Sequence, residues 1–260
     1  WYSIVYDYVE KNKIPFYDQK IFYKNNKTLL DIIKKSNIDL IVSVAYPFLI
    51  NSEIIDFMNK KFGVVNLHGG LLPKYRGTSP IPWAIINQEK FLGMTLHYID
   101  KGCDSGDIID QKKVKNLPED TLNDLTERLK KAAIKIFKNY LNKLLKNKII
   151  KRKPQDHSKA NYAYRLKEDD LLLNLNKNKG EILAFIKGTK NQKIFIKHND
   201  KKLIISEVKI AKTKSDLKPN TIVSKSNISL KVATKENDII LKFEKILDYK
   251  KFNNGKLLNE

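Results

Sequence analysis

Over its first 150 residues the sequence alternates short apolar runs with segments whose apolar residues recur every three or four positions. DLIVSVAYPFLI (39–50) and FGVVNLH (62–68) are apolar and β-branched, which is typical of buried strands. The segment 121–148 has its leucine, alanine and isoleucine residues at helical spacing. Strands that alternate with helices form an open, mostly parallel sheet, so this part of the chain is predicted to be a Rossmann-like α/β unit.

The pattern changes after residue 150. Residues 151–189 are largely polar and are interpreted as a connector. From residue 190 to 260 five short strand-like runs follow one another: KIFIKH, KKLIISEVKI, NTIVSK, ISLKVAT and DIILKFEKIL. Strands at that spacing predict a small β-barrel-like domain or curled sheet. The predicted organisation is therefore 1–150, 151–189 and 190–260.

Composition limits the classes of partner and compartment. Fifty Lys and Arg against 29 Asp and Glu give a net charge of +21, which favours anionic partners. A general lysine bias spread along the chain explains the same number and is the preferred interpretation. One cysteine, Cys103, excludes an internal disulfide. Because no apolar run is long enough for a membrane span and the start lacks a signal-peptide pattern, a cytoplasmic protein with no membrane partner is expected.

The stretch NLHGGLLPKYRG (66–77) carries the first candidate site. Asn66 and His68 are two positions apart on a predicted strand, so their side chains point to the same side. Gly69 and Gly70 then allow the backbone to turn or to be approached closely. A polar pair at the end of a buried strand is where open α/β sheets usually hold ligands.

The second candidate is the loop DKGCDSGDII (100–109). Its spacing fits neither a calcium loop nor a zinc site, so no metal is expected. Taken alone it is ordinary turn chemistry. If Asp104 meets Asn66 and His68, however, a carboxylate can orient the imidazole while an amide stabilises an oxyanion. Since neither Ser nor Cys is placed as a nucleophile, the attacking group would come from the substrate.

Residues 64–111 resemble the catalytic core of the 10-formyltetrahydrofolate-dependent formyltransferases. That family shares an Asn-x-His-x-Ser-Leu-Leu-Pro strand end and a later Asp-x-Gly loop, and Asn66, His68 and Asp104 fall on those positions. Gly70 stands where the family has Ser. Residues 219–247 resemble the small C-terminal β-domain of the branch that contains methionyl-tRNA and sugar-nucleotide formyltransferases.

The resemblance implies a formyl transfer from 10-formyltetrahydrofolate to a primary amine, with Asn66, His68 and Asp104 as the catalytic residues. The expected donor site lies on two loops, with these residues: Tyr46, Phe48, Leu49, Ile50, Ile99, Asp100 and Gly102. For Phe48 and Leu49 plain core packing is an equal alternative. The expected acceptor residues are Gly70, Lys74, Tyr75 and Arg76, with an ordinary exposed loop as the alternative for the last three.

The anionic acceptor is expected to be a nucleotide-linked amino sugar, with initiator methionyl-tRNA as the alternative. A further alternative is an inactive homologue that serves as a basic binding module. By comparison with the family, the first strand, helix and strand are expected to be missing from residues 1–150. The sequence does not indicate an oligomeric state.

Overall fold

The computed structural model describes residues 2–17, 26–198, 201–245, 247 and 252–258. Its helices are α1 (Tyr2–Lys11), α2 (Asn26–Lys35), α3 (Ser52–Met58), α4 (Pro80–Ile86), α5 (Leu122–Leu145) and α6 (Lys179–Gly188). Its strands are β1 (Ile41–Val44), β2 (Val64–His68), β3 (Phe91–Tyr98), β4 (Ile108–Lys115), β5 (Phe195–His198), β6 (Lys201–Ile210), β7 (Ile222–Lys225), β8 (Ser229–Val232) and β9 (Ile239–Phe243).

The first sheet has the strand order β1-β2-β3-β4. β1 and β2 are parallel, whereas β3 is antiparallel to both β2 and β4. Three of the four strands therefore share one direction, and the Rossmann-like prediction is confirmed with β3 as the reversed strand. β3 and β4 are joined by the loop of residues 99–107, which is too short for a helical crossover and so produces an antiparallel pair.

The helix α5 shows how the local pattern produces this layer. Thr121 and Asp124 form a capping box at its N-terminus, which satisfies backbone N–H groups that the helix leaves unpaired. Its buried residues Leu125, Leu129 and Ile136 recur at helical spacing and pack towards β3 and β4. No helix in the described ranges is both long and apolar enough to cross a membrane.

The second sheet is antiparallel and has the order β5-β6-β9-β8-β7, so all five predicted runs form strands. Its buried face carries a continuous apolar cluster against which the α6 residues Ile182, Phe185 and Ile186 pack. α6 begins with a capping box between Asn178 and Glu181. Since α6 also lies against α4, it joins the two halves of the molecule.

The polar connector is fixed to the first sheet by backbone hydrogen bonds. Lys153 exchanges two of them with Ile108, at 2.8 and 2.9 Å. The Arg76 N–H donates to the Asn161 carbonyl at 2.9 Å, and the Ala163 N–H donates to the Arg76 carbonyl at 2.6 Å. Residues 153–164, which include a short 3-10 helix at His157–Lys159, thus form a strap across the loops that follow β2 and β3.

Candidate active site

The first two candidate residues lie at the end of β2, as the sequence predicts. Asn66 pairs with Ser43 on one side and with His97 on the other, while His68 pairs with Thr95. Alternation along the strand turns the side chains of Asn66 and His68 towards the same side of the sheet.

Asp104, from the loop after β3, meets both of them. Its Oδ1 accepts a hydrogen bond from Asn66 Nδ2 at 3.2 Å, and its Oδ2 lies 3.5 Å from His68 Nδ1. The Gly77 N–H also donates to Oδ2, at 2.8 Å. The predicted convergence of Asn66, His68 and Asp104 is therefore present in the geometry.

Asp104 remains ionised in this setting. Burial raises its pKa, but the hydrogen bond with His97, the electrostatic interaction with His68 and the Gly77 N–H together outweigh burial and lower the pKa from 3.8 to about 2. Its side chain is 15% exposed, so the carboxylate faces the site rather than bulk solvent.

His68 is held in a defined tautomer. Its Nε2 lies 2.7 Å from the Tyr75 carbonyl oxygen, and because a carbonyl only accepts, Nε2 carries the proton. Burial lowers the pKa of His68 more strongly than Asp104 and the Tyr75 carbonyl raise it, so the imidazole is neutral near pH 7. Its unprotonated Nδ1 then faces Asp104, and a proton taken up there is stabilised at once by the carboxylate.

A second buried histidine, His97, completes the cluster. Its Nδ1 donates to the Tyr98 carbonyl at 2.8 Å, and its Nε2 lies 3.1 Å from Asn66 Nδ2 and 3.3 Å from Asp104 Oδ1. An unprotonated Nε2 accepts a hydrogen bond from Asn66 Nδ2, whereas a protonated Nε2 donates one to Asp104 Oδ1. The sequence analysis missed His97, because its position depends on the β2–β3 register and on a bulge between Leu96 and His97 that re-aims the side chain.

Gln155, from the connector, fixes the Asp104 loop. Its Nε2 donates to the Asp104 and Gly106 carbonyls at 2.8 and 2.7 Å, and its Oε1 accepts from Arg76 Nε at 3.2 Å and Nη2 at 2.7 Å. We call this arrangement the Gln155 bridge. Every hydrogen-bonding position of the buried amide is used. No local pattern indicates Gln155, which lies 51 residues from Asp104.

The predicted donor residues fall into three groups. Tyr46, Phe48 and Leu49 are exposed on the loop after β1, so the core-packing alternative for Phe48 and Leu49 does not describe their surroundings. Ile50 and Ile99 are half-buried and pack against a common cluster with Val64. Asp100 accepts hydrogen bonds from the Gly102 N–H at 3.0 Å and from Ser105 Oγ at 2.6 Å, which closes the turn before Asp104.

The predicted acceptor residues are separated by burial. Lys74 is exposed and lies 3.8 Å from Glu89. Tyr75 is buried, and its hydroxyl donates to Glu89 at 2.9 Å. Arg76 is only 3% exposed, and besides Gln155 it contacts His157 Nδ1 at 3.1 Å. The exposed-loop alternative therefore fits Lys74 but not Tyr75 or Arg76, whose side chains serve internal contacts.

Gly70 is the predicted acceptor residue nearest the imidazole. A Cβ atom at this position would lie 2.9 Å from His68 Nε2, closer than real Cβ contacts. The absence of a side chain therefore leaves His68 in place. Within the described residues, no group of His, Cys, Asp and Glu has the geometry to hold a metal ion.

Comparison with known proteins shows the family of this chain. Residues 3–141 match the family described as formyl transferase, and residues 165–257 match the formyl transferase C-terminal domain. Methionyl-tRNA formyltransferase of Clostridium tetani is 33% identical over 84% of this chain and 70% of its own length. The enzyme of the same name from Malacoplasma penetrans is 34% identical over 90% of this chain and 71% of its own length.

Two solved structures share the fold. HypX from Aquifex aeolicus in complex with tetrahydrofolic acid superposes with a TM-score of 0.63 at 15% identity, over 82% of this chain but only 36% of HypX. A 4-N formyltransferase from Francisella tularensis superposes with a TM-score of 0.62 at 23% identity, over 79% of this chain and 81% of its own.

Proposed function

This chain belongs to the formyl transferase family, and from that premise we propose that it transfers a formyl group from 10-formyltetrahydrofolate to a primary amine. One observation carries the proposal: the Asp104 carboxylate touches Asn66 and lies within ion-pair distance of His68. An amide, an imidazole and a carboxylate around one point form a constellation suited to acyl transfer.

In the proposed reaction the amine nitrogen attacks the formyl carbon. A carbon–nitrogen bond to the acceptor forms, the bond to the folate nitrogen breaks, and the proton lost by the amine passes to the folate nitrogen. Neutral His68 accepts that proton because its Nδ1 is unprotonated. The ionised Asp104 carboxylate then stabilises the resulting imidazolium. This requires Asp104 to stay charged, which its lowered pKa supports.

Asn66 is proposed to stabilise the oxyanion of the tetrahedral intermediate. Its amide nitrogen already donates towards His97 Nε2 and Asp104 Oδ1, so its orientation is fixed before substrate arrives. One of these two bonds would be exchanged for the oxyanion. His97 Nε2 lies 3.3 Å from Asp104 Oδ1 and so stays beside the carboxylate.

The donor is proposed to lie against the loop after β1. Tyr46, Phe48 and Leu49 offer an exposed apolar surface that suits a pterin ring, and Ile50 and Ile99 form its base. Asp100 and Gly102 are proposed to act through the shape of their loop, because their polar groups bond to each other.

For the acceptor, initiator methionyl-tRNA is now the first candidate, because relatives named for that activity reach 33–34% identity over most of this chain. The sequence analysis placed it second. The nucleotide-linked amino sugar remains the second candidate, because the stretches NLHGGLLPKYRG and MTLHYID resemble the sugar-nucleotide formyltransferases. The second of these stretches contains His97. Lys74 and Gly70 are proposed to face the acceptor.

We also propose that the chain divides into residues 1–150, 151–189 and 190–260, and that the protein is cytoplasmic.

The test is formyl transfer by the complete protein. It is incubated with 10-formyltetrahydrofolate and either methionyl-tRNA or a nucleotide-linked amino sugar, and the product is detected by mass spectrometry. Asp104→Asn is the control, since it retains the shape of the side chain without its charge. Transfer to the sugar alone would reverse the order of the acceptors. No transfer to either, by a protein whose folding is verified, would favour the binding-module alternative.

A further inference from the structure

The strap carries two exposed aromatic residues beside the catalytic loops. Tyr162 and Tyr164 are 63% and 48% exposed, while Ala163 between them is completely buried. We call these two residues the tyrosine platform. Because both rings are exposed on a segment fixed by backbone hydrogen bonds, they are accessible to a ligand.

The backbone places this platform next to the reacting groups. Arg76 pairs with Tyr162 in a parallel bridge. The neighbours of Arg76 contact the active site directly: the Tyr75 carbonyl accepts from His68, and the Gly77 N–H donates to Asp104. The bridge therefore places the Tyr162 backbone opposite the residue that lies between the two groups holding His68 and Asp104.

Tyr164 is held by four contacts. Trp83 Nε1 donates to its carbonyl at 2.8 Å, and the Trp83 ring lies 5.0 Å from its ring. Its hydroxyl donates to Asp170 at 3.0 Å. The Lys167 ammonium is 5.8 Å from the ring centroid. A rigid, half-exposed aromatic ring loses little conformational entropy when a ligand ring stacks on it.

We propose that the tyrosine platform stacks a nucleobase of the acceptor, with Arg165 and Lys167 facing the attached phosphate. This rests on the proposed function, because both candidate acceptors are amines attached to nucleotides. Stacking on tyrosine suits any base, since each base has a flat π-face, and exposed cations on the same segment complement a phosphate. The platform would thus position the acceptor while Asn66, His68 and Asp104 perform the transfer.

Steady-state kinetics test the proposal. Tyr162→Ala and Tyr164→Ala are expected to raise the acceptor KM about 5- to 100-fold, with kcat and the donor KM changed less than about twofold. Tyr162→Phe should behave as wild type because it keeps the ring. Tyr8→Ala is the matched control, since Tyr8 is 64% exposed on α1. An effect with methionyl-tRNA alone, or with the nucleotide sugar alone, identifies the source of the base.

A binding measurement separates this proposal from the proposed function. Affinity for a fluorescent RNA tetranucleotide is measured by anisotropy, with uridine monophosphate and inorganic phosphate as competitors. The platform is supported if uridine monophosphate competes and phosphate does not, and if Tyr162→Ala weakens the affinity for the RNA about 5- to 100-fold. This result would stand even if no formyl transfer is observed. Equal affinity and equal acceptor KM in wild type and both alanine variants would overturn it, as would a loss of kcat with every acceptor.

Discussion

Replacing Gln155 by leucine should impair catalysis by releasing the Asp104 loop. The Gln155 bridge supplies two donors to the Asp104 and Gly106 carbonyls and one acceptor to Arg76. Leucine has a similar size but no polar atom, so three partners lose a hydrogen bond. Asp104 has a positive φ of 49°, a conformation that a non-glycine residue keeps only when its surroundings hold it.

The magnitude follows from the partners left behind. Each buried group deprived of its hydrogen bond costs about 1–3 kcal/mol. The Asp104 carbonyl is only partly buried and can turn to water, and Arg76 keeps its contact with His157, whereas the Gly106 carbonyl is buried, so the expected loss is about 3–5 kcal/mol in total. A displacement of the Asp104 carboxylate by about 1 Å would lower kcat about 100-fold.

The assay combines urea unfolding with single-turnover formyl transfer. Gln155→Glu is the matched variant: it keeps an acceptor for Arg76, as an ion pair, but loses both donors and turns an oxygen towards the two carbonyls. It should therefore lose kcat while retaining more stability than Gln155→Leu. If both variants keep kcat within about twofold while the free energy of unfolding falls, Gln155 supports the fold only, and its role in placing Asp104 is refuted.

Further predictions concern the catalytic cluster itself. Asp104→Asn should lower kcat about 100- to 10,000-fold, measured at saturating donor and acceptor. Because the pKa of Asp104 is lower in the folded than in the unfolded chain, its charge stabilises the fold above about pH 4, and this stabilisation is lost as the pH falls towards 2. In unfolding titrations over this range, the free energy of unfolding of wild type should fall by about 2 kcal/mol relative to that of Asp104→Asn. Asn66→Ala should lower kcat about 100- to 1000-fold with little change in the acceptor KM.

The sequence predicts what depends on short-range pattern. Asn66 and His68 could be placed because strand alternation fixes their side, and Asp104 because its loop follows the next strand. His97 could not, since nothing local reveals that β3 runs antiparallel to β2 in a register that opposes it to Asn66. Arg76 was expected to face an acceptor phosphate because its planar guanidinium suits one, whereas its guanidinium bonds to Gln155 and His157 and is buried. Residues 14–17, which follow α1, have no regular structure.

The strap limits where recombination can join the catalytic half of one such enzyme to the C-terminal half of another. Its polar composition is that of a spacer, yet Gln155, Asn161 and Ala163 make hydrogen bonds to the loops that carry the catalytic residues. A recombination event that replaced everything beyond residue 150 would remove the support of the carboxylate loop along with the second sheet. Viable chimaeras should therefore keep the parental sequence to about residue 164 and change partners only beyond it.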